Sequence, residues 1–281
     1  MVTALLLLLA SAPAGSSSGA GWVRPEHDAL TPVYGLRRVM HLAEPSGSVL
    51  ALNNHPEQWA QPFIGNDGSL IYVATEAGVL EARWINSGKL LFKRDDLGQL
   101  GAAMAQVGDI LLVGSDGGLH GLEGYSGKEQ WKTDLGGTVG GPITVTGTVA
   151  IIPVRPSGYV AINGLTGEIR WRQKRGKAEG ITVRGTAGAA VDLKGHRVYG
   201  GAGDGSVSAL GLDTGELLWT TKLSSQKADE PFPDVDTRPL LADQGRILLA
   251  ASYNGGLAGL DPKTGAVLFK KPELLHITGL A

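Results

Sequence analysis

Residues 160–171, VAINGLTGEIRW, show most clearly a pattern that occurs five times in this chain. In each copy a small residue, Ala or Gly, is followed five positions later by Ser-Gly or Thr-Gly, and an aromatic residue lies four positions beyond that glycine. Five matches in the same register indicate an internal structural repeat. The other copies are residues 81–92 (EARWINSGKLLF), 120–131 (HGLEGYSGKEQW), 208–219 (SALGLDTGELLW) and 258–269 (AGLDPKTGAVLF).

The chemistry of the repeated positions predicts a turn between two strands. Glycine readily adopts the left-handed conformation of a tight turn, and the preceding Ser or Thr can hydrogen-bond the local backbone. A large, flat aromatic side chain near the end of the next strand is suited to fill the space between adjacent sheets. We therefore predict structural docking roles for the turn glycines Gly88, Gly127, Gly167, Gly215 and Gly265 and for the aromatic residues Phe92, Trp131, Trp171, Trp219 and Phe269.

Short apolar runs upstream of each copy supply the other strands of the repeat. The turn glycines are 39, 40, 48 and 50 residues apart, and four strands in each such interval are typical of an all-β propeller with four-stranded blades. A two-sheet sandwich also has evenly spaced strands, but it has no reason to repeat Thr-Gly-x-x-x-Trp at constant phase. The predicted strands lie at residues 70–74, 110–113, 149–154, 197–201 and 247–251, with further strands within 58–64, 140–146 and 236–242.

About five blades are expected, and the ring is expected to be incomplete. The last copy of the repeat ends at Phe269, and residues 274–280 have the character of the first strand of another blade. Residues 33–52 hold one or two further strand-like pieces. Because a propeller normally closes by pairing strands from its two ends, we predict an open arc with an exposed sheet edge.

The N-terminal residues predict export. An apolar core at Leu5–Leu9 is followed by small residues at 10–14 of the kind that signal peptidases cut, although no Lys or Arg precedes the core. We predict a signal peptide at residues 1–14, a flexible Ser- and Gly-rich linker at 15–31 and the propeller domain at 32–281. A disordered apolar N-terminus is the alternative.

Composition argues against several classes of function. The net charge of −2 provides no basic field for nucleic acid or anionic lipid, and the lack of cysteine excludes disulfides and thiol nucleophiles. The six His residues show no metal-ligand spacing, no Ser/His/Asp set stands out, and residues 201–205 (GAGDG) open no helix. Asp204, Asp213 and Asp261 are interpreted as turn-forming residues. We therefore expect a non-enzyme with no cofactor, no metal site and no small-molecule substrate.

The repeats resemble the tryptophan-docking repeats of the PQQ-like propeller superfamily, which contains quinoprotein dehydrogenases and the non-enzymatic outer-membrane assembly lipoproteins of the BamB family. Residues 234–239 (DVDTRP), 251–261 (ASYNGGLAGLD) and 181–185 (ITVRG) are similar to the BamB family beyond the shared repeat. The resemblance covers roughly residues 32–281. It implies an eight-bladed fold, of which about three blades would be missing here, and a scaffold role at the periplasmic face of the outer membrane.

The resemblance also implies a partner-binding site. In BamB-like proteins the matching positions face the periplasmic domain of the barrel-assembly protein BamA, and here they are Ile181, Val183, Arg184, Asp234 and Asp236. An arginine offers a planar donor fork, and carboxylates can orient that fork or pair with charges of the partner. Alternatively, the two aspartates cap a strand or hydrogen-bond the loop backbone, and the arginine is an ordinary solvated side chain.

Two alternatives remain open. Quinoprotein dehydrogenases hold a quinone over a Trp floor with Ca²⁺ and an Asp base, and many also need a vicinal disulfide, which a chain without Cys cannot form. A quinone-dependent oxidoreductase is therefore less favoured than a scaffold, and a secreted propeller for another partner is the third possibility. BamB-type lipoproteins carry an acylated Cys that is absent here, so we expect membrane association only through a BamA-like partner.

Overall fold

The computed structural model describes residues 61–75, 78–155, 158–174, 187–223, 235, 237–252, 254–277 and 279–280. These residues form five antiparallel β-sheets, one for each predicted repeat. The prediction of an all-β propeller with about five four-stranded blades is confirmed. Within the described ranges no helix is long and apolar enough to cross a membrane.

The five sheets are numbered as blades 1 to 5 in chain order. Blade 1 contains β1 (Phe63–Ile64), β2 (Leu70–Ala74), β3 (Leu80–Trp84) and β4 (Leu90–Arg94). Blade 2 contains β5 (Leu100–Val107), β6 (Ile110–Ser115), β7 (Gly118–Glu123) and β8 (Glu129–Thr133). Blade 3 contains β9 (Thr138–Val139), β10 (Thr144–Thr146), β11 (Val149–Arg155), β12 (Gly158–Asn163) and β13 (Ile169–Lys174). Blade 4 contains β14 (Ala190–Asp192), β15 (Arg197–Gly201), β16 (Ser206–Gly211) and β17 (Leu217–Lys222). Blade 5 contains β18 (Leu240–Ala242), a 3₁₀ turn (Asp243–Gly245), β19 (Ile247–Ser252), β20 (Gly256–Leu260) and β21 (Val267–Lys271).

Each blade is a meander in which every strand pairs antiparallel with the next strand along the chain. The strands β5, β10, β14 and β18 contact one another in that order, so the first strand of each blade lies innermost. The last strands, β8, β13, β17 and β21, therefore lie outermost. Two faces follow from this topology. The turn face carries the loops between first and second strands and the Ser/Thr-Gly turns, and the connection face carries the loops between second and third strands and the segments that join blades.

Blade 3 departs from the simple pattern at its inner edge. Of the stretch predicted as a strand at 140–146, only Thr144–Thr146 forms one, β10, which pairs with the beginning of β11; β9 lies before that stretch and pairs with the end of β11. Between the two lie Gly140, Gly141, Pro142 and Ile143, and proline has no N–H to donate to a ladder. The chain therefore leaves the sheet at Pro142 and rejoins it at Thr144.

The hydrophobic core lies between blades rather than within one sheet. Leu70 and Tyr72 of blade 1 pack in one buried cluster with Leu111 and Val113 of blade 2. Corresponding clusters join blades 2 and 3, blades 3 and 4, and blades 4 and 5. Because each sheet shares its apolar faces with its neighbours, burial of these side chains holds the blades side by side.

The prediction of another strand at 274–280 is wrong for the part that the structure describes, because residues 274–277 and 279–280 form no strand. The chain turns after β21, where the N–H of Leu274 donates to the carbonyl of Lys271 (3.2 Å). No described strand pairs with this stretch, and an extended segment without a partner gains no ladder hydrogen bonds. The strand-like pieces expected at 33–52 lie outside the described residues.

Candidate partner-binding site

An aromatic ring of one blade lies on the turn glycine of the next, a contact named here the blade joint. Trp131 on β8 covers Gly167, which has a φ of +75° in the turn between β12 and β13. A Cβ atom at Gly167 would come within 2.5 Å of Trp131 Cε3. Trp131 Nε1 donates to the carbonyl of Leu165 (3.0 Å), and the hydroxyl of Thr133 donates to the carbonyl of Gly167 (2.7 Å). Backbone conformation and space both therefore require glycine at this position.

The same joint occurs between the other described blades. Trp171 Nε1 donates to the carbonyl of Leu212 at 2.8 Å, and Trp219 Nε1 donates to the carbonyl of Pro262 at 3.1 Å. The joint between blades 1 and 2 uses Phe92, whose ring has no N–H. There Arg94 Nη1 donates instead to the carbonyl of Gly127 at 2.5 Å. The remaining ring-on-glycine pairs are Phe92 on Gly127, Trp171 on Gly215 and Trp219 on Gly265.

The small residue of the repeat is the cross-strand neighbour of the docking ring. Ala161 pairs with Trp171 and Ala209 pairs with Trp219, so each ring lies across the strand that precedes its own. At Gly121 even a Cβ atom would overlap the ring of Trp131. The Ala-or-Gly preference read from the sequence is therefore a steric requirement of the joint.

Two predicted docking residues lie at the ends of the described arc. Gly88 forms the turn of blade 1 with a φ of +70°, and no described blade precedes it. Phe269 lies against Gly259 of its own blade, and its ring is 37% exposed because no described blade follows. The aromatic residue of blade 5 is therefore placed like the others within its sheet, but no described turn covers it.

Buried tyrosines, which sequence reasoning missed, add a second set of contacts between blades. Tyr72 donates to the carbonyl of Gly124 (3.1 Å) and Tyr199 donates to the carbonyl of Pro262 (3.1 Å). Loss of hydration on burial raises the pKa of both hydroxyls to about 12, so they remain donors at neutral pH. Both residues pair across the strands with the small residue of the repeat, Ala82 and Ala209, and an alignment of the repeats at that position could have found them.

The residues predicted to bind a partner, Ile181, Val183, Arg184, Asp234 and Asp236, lie outside the described residues. The structure shows instead where their segments leave and re-enter the sheets. One segment joins β13 to β14, and the other joins β17 to β18. These two connections account for the longer repeat intervals of 48 and 50 residues. Both begin and end at the connection face, in neighbouring blades.

The described ends of these segments are firmly anchored. Val235, which separates the two aspartates, is 1% exposed, and its N–H donates to the carbonyl of Ala202 (3.0 Å). Ala187, which follows the arginine segment, is fully buried, and its carbonyl accepts a hydrogen bond from Tyr159 (2.9 Å). Leu223 is also buried, and its carbonyl accepts from Lys270 Nζ (3.1 Å). Both segments are therefore tethered at fixed points of a rigid sheet framework.

The family described as "Outer membrane protein assembly factor BamB" matches residues 37–280. This chain belongs to that family. Among curated relatives, the BamB of Yersinia pestis is 25% identical over 219 residues, and that of Burkholderia pseudomallei is 30% identical over 209 residues. Each alignment covers 73% of this chain and 54% of the relative. The chain thus spans about half the length of the curated BamB relatives it matches.

Solved structures share the propeller architecture of this BamB-family chain. The crystal structure of BamB from Moraxella catarrhalis superposes with a TM-score of 0.62 and 24% identity, covering 76% of this chain and 64% of that one. A quinohemoprotein alcohol dehydrogenase from Pseudomonas putida superposes with a TM-score of 0.59 and 18% identity, covering 75% and 41%. Because an assembly factor and a dehydrogenase fit almost equally well, these likenesses establish the fold alone.

Blade 2 of this BamB-family chain contains a Ser-His-Glu cluster that the sequence did not reveal. His120 Nδ1 lies 2.6 Å from Glu129 Oε2, and Nε2 lies 2.8 Å from Ser115 Oγ. A carboxylate only accepts, so the ring proton is assigned to Nδ1 and the Ser115 hydroxyl donates to Nε2. These contacts follow the order of a serine-hydrolase triad. The three residues come from adjacent strands, and no spacing motif marks them.

Burial indicates a structural role for this cluster. Ser115 and His120 are each 2% exposed, so a substrate has almost no access to the serine hydroxyl. Ser115 Oγ also accepts from the N–H of Gly117 (3.1 Å), and Ser252 makes a similar contact with Gly255 (3.2 Å) at the end of β19. The cluster therefore closes the loop after β6 and satisfies polar groups that would otherwise be buried without partners.

Replacing His120 with alanine is expected to lower the free energy of unfolding by about 1–3 kcal/mol, because Ser115 loses its buried acceptor. Chemical denaturation followed by circular dichroism measures the change. The control is His196→Ala, since the His196 side chain is largely exposed. In its one described ion pair, His196 Nδ1 lies 3.1 Å from Oδ2 of Asp213, which is also exposed. That change is expected to cost about 0.5 kcal/mol or less. Equal effects of the two substitutions would show that the buried cluster contributes nothing particular.

Two of the three aspartates interpreted as turn-forming residues accept backbone N–H groups of their turns. Asp204 Oδ1 accepts from the N–H of Ser206 (3.0 Å), and Asp261 Oδ1 accepts from the N–H groups of Lys263 (2.7 Å) and Thr264 (3.0 Å). These backbone hydrogen bonds, that of Lys263 first, hold the pKa of Asp261 below its usual value. Asp213 contacts His196. Within the described part of the chain, no three His, Asp or Glu side chains are grouped closely enough to hold a metal ion.

Proposed function

We propose that this chain is a non-catalytic periplasmic scaffold that binds a partner protein during the assembly of outer-membrane β-barrels. The observation that carries the proposal is the match of residues 37–280 to the BamB family, whose curated relatives are named outer membrane protein assembly factors. The proposed partner is a BamA-like barrel-assembly protein. Residues 1–14 would direct export, residues 15–31 would form the linker, and contact with the membrane would be made only through the partner.

The proposed binding site comprises Ile181, Val183, Arg184, Asp234 and Asp236. Support comes from the framework around them, because both of their segments are fixed to neighbouring blades at the connection face by buried residues. Val235 and Ala187 hold the segments at their sheet ends. Segments tethered in this way lose less conformational entropy on binding than free loops would. In this proposal Arg184 supplies a directional donor fork to the partner, and Asp234 and Asp236 accept from the partner's donors.

The test is capture of the purified periplasmic domain of a BamA-like protein. Arg184→Ala and Asp234→Ala are each expected to weaken binding about ten-fold or more, because truncating an interface anchor removes a desolvated charge contact. Isothermal titration calorimetry gives the affinities, and circular dichroism shows that each variant remains folded.

The matched controls are Arg246→Ala and Asp243→Ala. These residues form an exposed ion pair of 2.5 Å on the opposite, turn face of blade 5. Their substitution is expected to leave partner affinity within two-fold of wild type, which is a change in binding free energy of about 0.4 kcal/mol or less. If the Arg184 and Asp234 variants bind as tightly as these controls, the proposed site is wrong.

The non-catalytic part of the proposal has its own test. The purified chain is incubated with pyrroloquinoline quinone and Ca²⁺, passed through a desalting column, and examined for quinone absorbance. We expect no protein-bound quinone. Stoichiometric retention of the quinone would favour the oxidoreductase alternative and overturn the scaffold proposal.

A further inference from the structure

An exposed aromatic pair and a carboxylate lie together on the turn face where blades 1 and 2 meet. Trp84 ends β3, Tyr125 lies in the turn between β7 and β8, and Asp67 lies in the loop between β1 and β2. The two rings have centroids 6.2 Å apart at an interplanar angle of 53°. The Tyr125 hydroxyl donates to Asp67 Oδ2, and Ser69 Oγ also donates to that oxygen (2.7 Å). The four side chains therefore form one connected surface, named here the aromatic-carboxylate patch.

Trp84 departs from the repeat in a way that turn stability does not explain. At the same position, four residues before the turn glycine, blades 3 and 5 have Asn163 and Asp261. Those side chains accept backbone N–H groups of their turns, at 3.0 Å from Leu165 and 2.7 Å from Lys263. A tryptophan cannot accept in this way, so blade 1 forgoes a turn-stabilising contact and exposes a large ring instead.

The rings remain open to solvent. Trp84 is 37% exposed and Tyr125 is 46% exposed, whereas Trp171 at a blade joint is only 6% exposed. The two rings lie against each other, and each residue keeps more than a third of its surface open to solvent. Exposed aromatic residues of this kind are enriched where proteins bind partners.

Hydrogen bonds hold the carboxylate of the patch in its ionised form. Hydrogen bonds from Tyr125 and then Ser69 lower the pKa of Asp67 to about 2, so the group carries its charge at any physiological pH. Among the described ion pairs none includes Asp67, and neither Lys89 nor Lys128, which follow the turn glycines of blades 1 and 2, pairs with it. Among the residues that the structure describes, the patch therefore presents a carboxylate without a cationic partner beside two half-exposed aromatic rings.

We propose that Trp84, Tyr125 and Asp67 form a docking site for a basic side chain, arginine or lysine, of a partner polypeptide. A guanidinium or ammonium group gains energy from the face of a tryptophan or tyrosine and from a charge-assisted hydrogen bond to a carboxylate. The patch offers both to one cation. It lies on the turn face, opposite the connection face that carries the proposed BamA-like partner site. The docking site can therefore be present whether or not the proposal of a BamA-like partner is correct.

The probe is a fluorescein-labelled hexa-arginine peptide amide, with binding measured by fluorescence anisotropy at low ionic strength. Each of three substitutions, Trp84→Asn, Tyr125→Leu and Asp67→Asn, is expected to weaken binding about five-fold or more, which corresponds to the ~1 kcal/mol of one cation–π or charge contact. Trp84→Asn and Tyr125→Leu install the residues that blade 3 has at the same positions, Asn163 and Leu165. The variants should therefore fold, and circular dichroism checks that they do.

The controls separate this site from general attraction by a protein of net charge −2. Asp243→Asn removes an exposed carboxylate from the equivalent loop of blade 5 and is expected to leave peptide affinity within two-fold of wild type. A hexa-glutamate peptide, which has the opposite charge, is expected not to bind. Maltohexaose, which tests whether the exposed rings bind a sugar instead of a cation, is also expected not to bind. The proposal is overturned if wild type fails to bind the arginine peptide, if the three patch variants bind it as wild type does, or if maltohexaose binds in its place.

Discussion

Replacing Trp171 with alanine is expected to lower the free energy of unfolding by about 3–5 kcal/mol, the range for truncating a buried aromatic residue. The Trp171 ring is only 6% exposed, lies on Gly215 of the next blade and donates from Nε1 to the carbonyl of Leu212 at 2.8 Å. Its removal leaves a cavity and an unpaired carbonyl between blades 3 and 4. Urea denaturation followed by far-UV circular dichroism measures the loss.

Phe269→Ala is the matched control because Phe269 occupies the same position of the repeat in blade 5. Its ring is 37% exposed and no described turn covers it. Truncation there removes less burial and opens no closed cavity, so the expected cost is about 1–2 kcal/mol. If both substitutions destabilised the chain equally, the contact with the following turn would not be the source of the stability.

Gly167→Ala is expected to destabilise the chain by about 3 kcal/mol or more. The left-handed backbone alone costs an alanine roughly 1–2 kcal/mol, and the added Cβ would also press on Trp131 Cε3 at 2.5 Å and on Thr133 Oγ1 at 2.7 Å. The ring must shift to make room, which also weakens its hydrogen bond to Leu165. Thermal unfolding at matched protein concentration gives the change in midpoint.

Gly147→Ala isolates the backbone part of that cost. Gly147 has a φ of +54° in the loop between β10 and β11, and a Cβ atom there would meet nothing within 4 Å. The expected destabilisation is therefore only about 1–2 kcal/mol. A Gly167 variant no less stable than the Gly147 variant would mean that the ring yields freely and that the joint is loosely packed.

The fold could be predicted from sequence because each blade carries, close together along the chain, the turn glycine of one joint and the docking ring of the next. Gly167, for example, lies four residues before Trp171, and Ala161 lies five residues before Thr166. Each of these residues has a single steric or conformational role that repeats in every blade. The sequence pattern therefore contained both the strand order and the ring that fills each interface, and the structure places those rings on the turns of the next blade.

Features that occur once could not be predicted in this way. The cluster of Ser115, His120 and Glu129 depends on strand register, which brings together side chains with no common spacing. The break in the inner strand of blade 3 depends on one proline within an otherwise strand-like stretch. In the sequence, the aromatic-carboxylate patch shows only as two residues, Trp84 and Tyr125, that differ from the other repeats. The structure shows that the loops of blades 1 and 2 bring them together with Asp67. Arg184 and Asp234 remain predictions that rest on the family resemblance.

The blade joint acts only between neighbours. A tryptophan such as Trp131 touches the turn of the following sheet, and nothing in that contact reaches a second sheet beyond. The joint therefore holds each sheet against its neighbour and makes no contact with a third sheet. Duplication or deletion of whole repeats would leave every surviving joint intact, so the number of blades in such a protein can change in evolution by unit steps without redesign of its core.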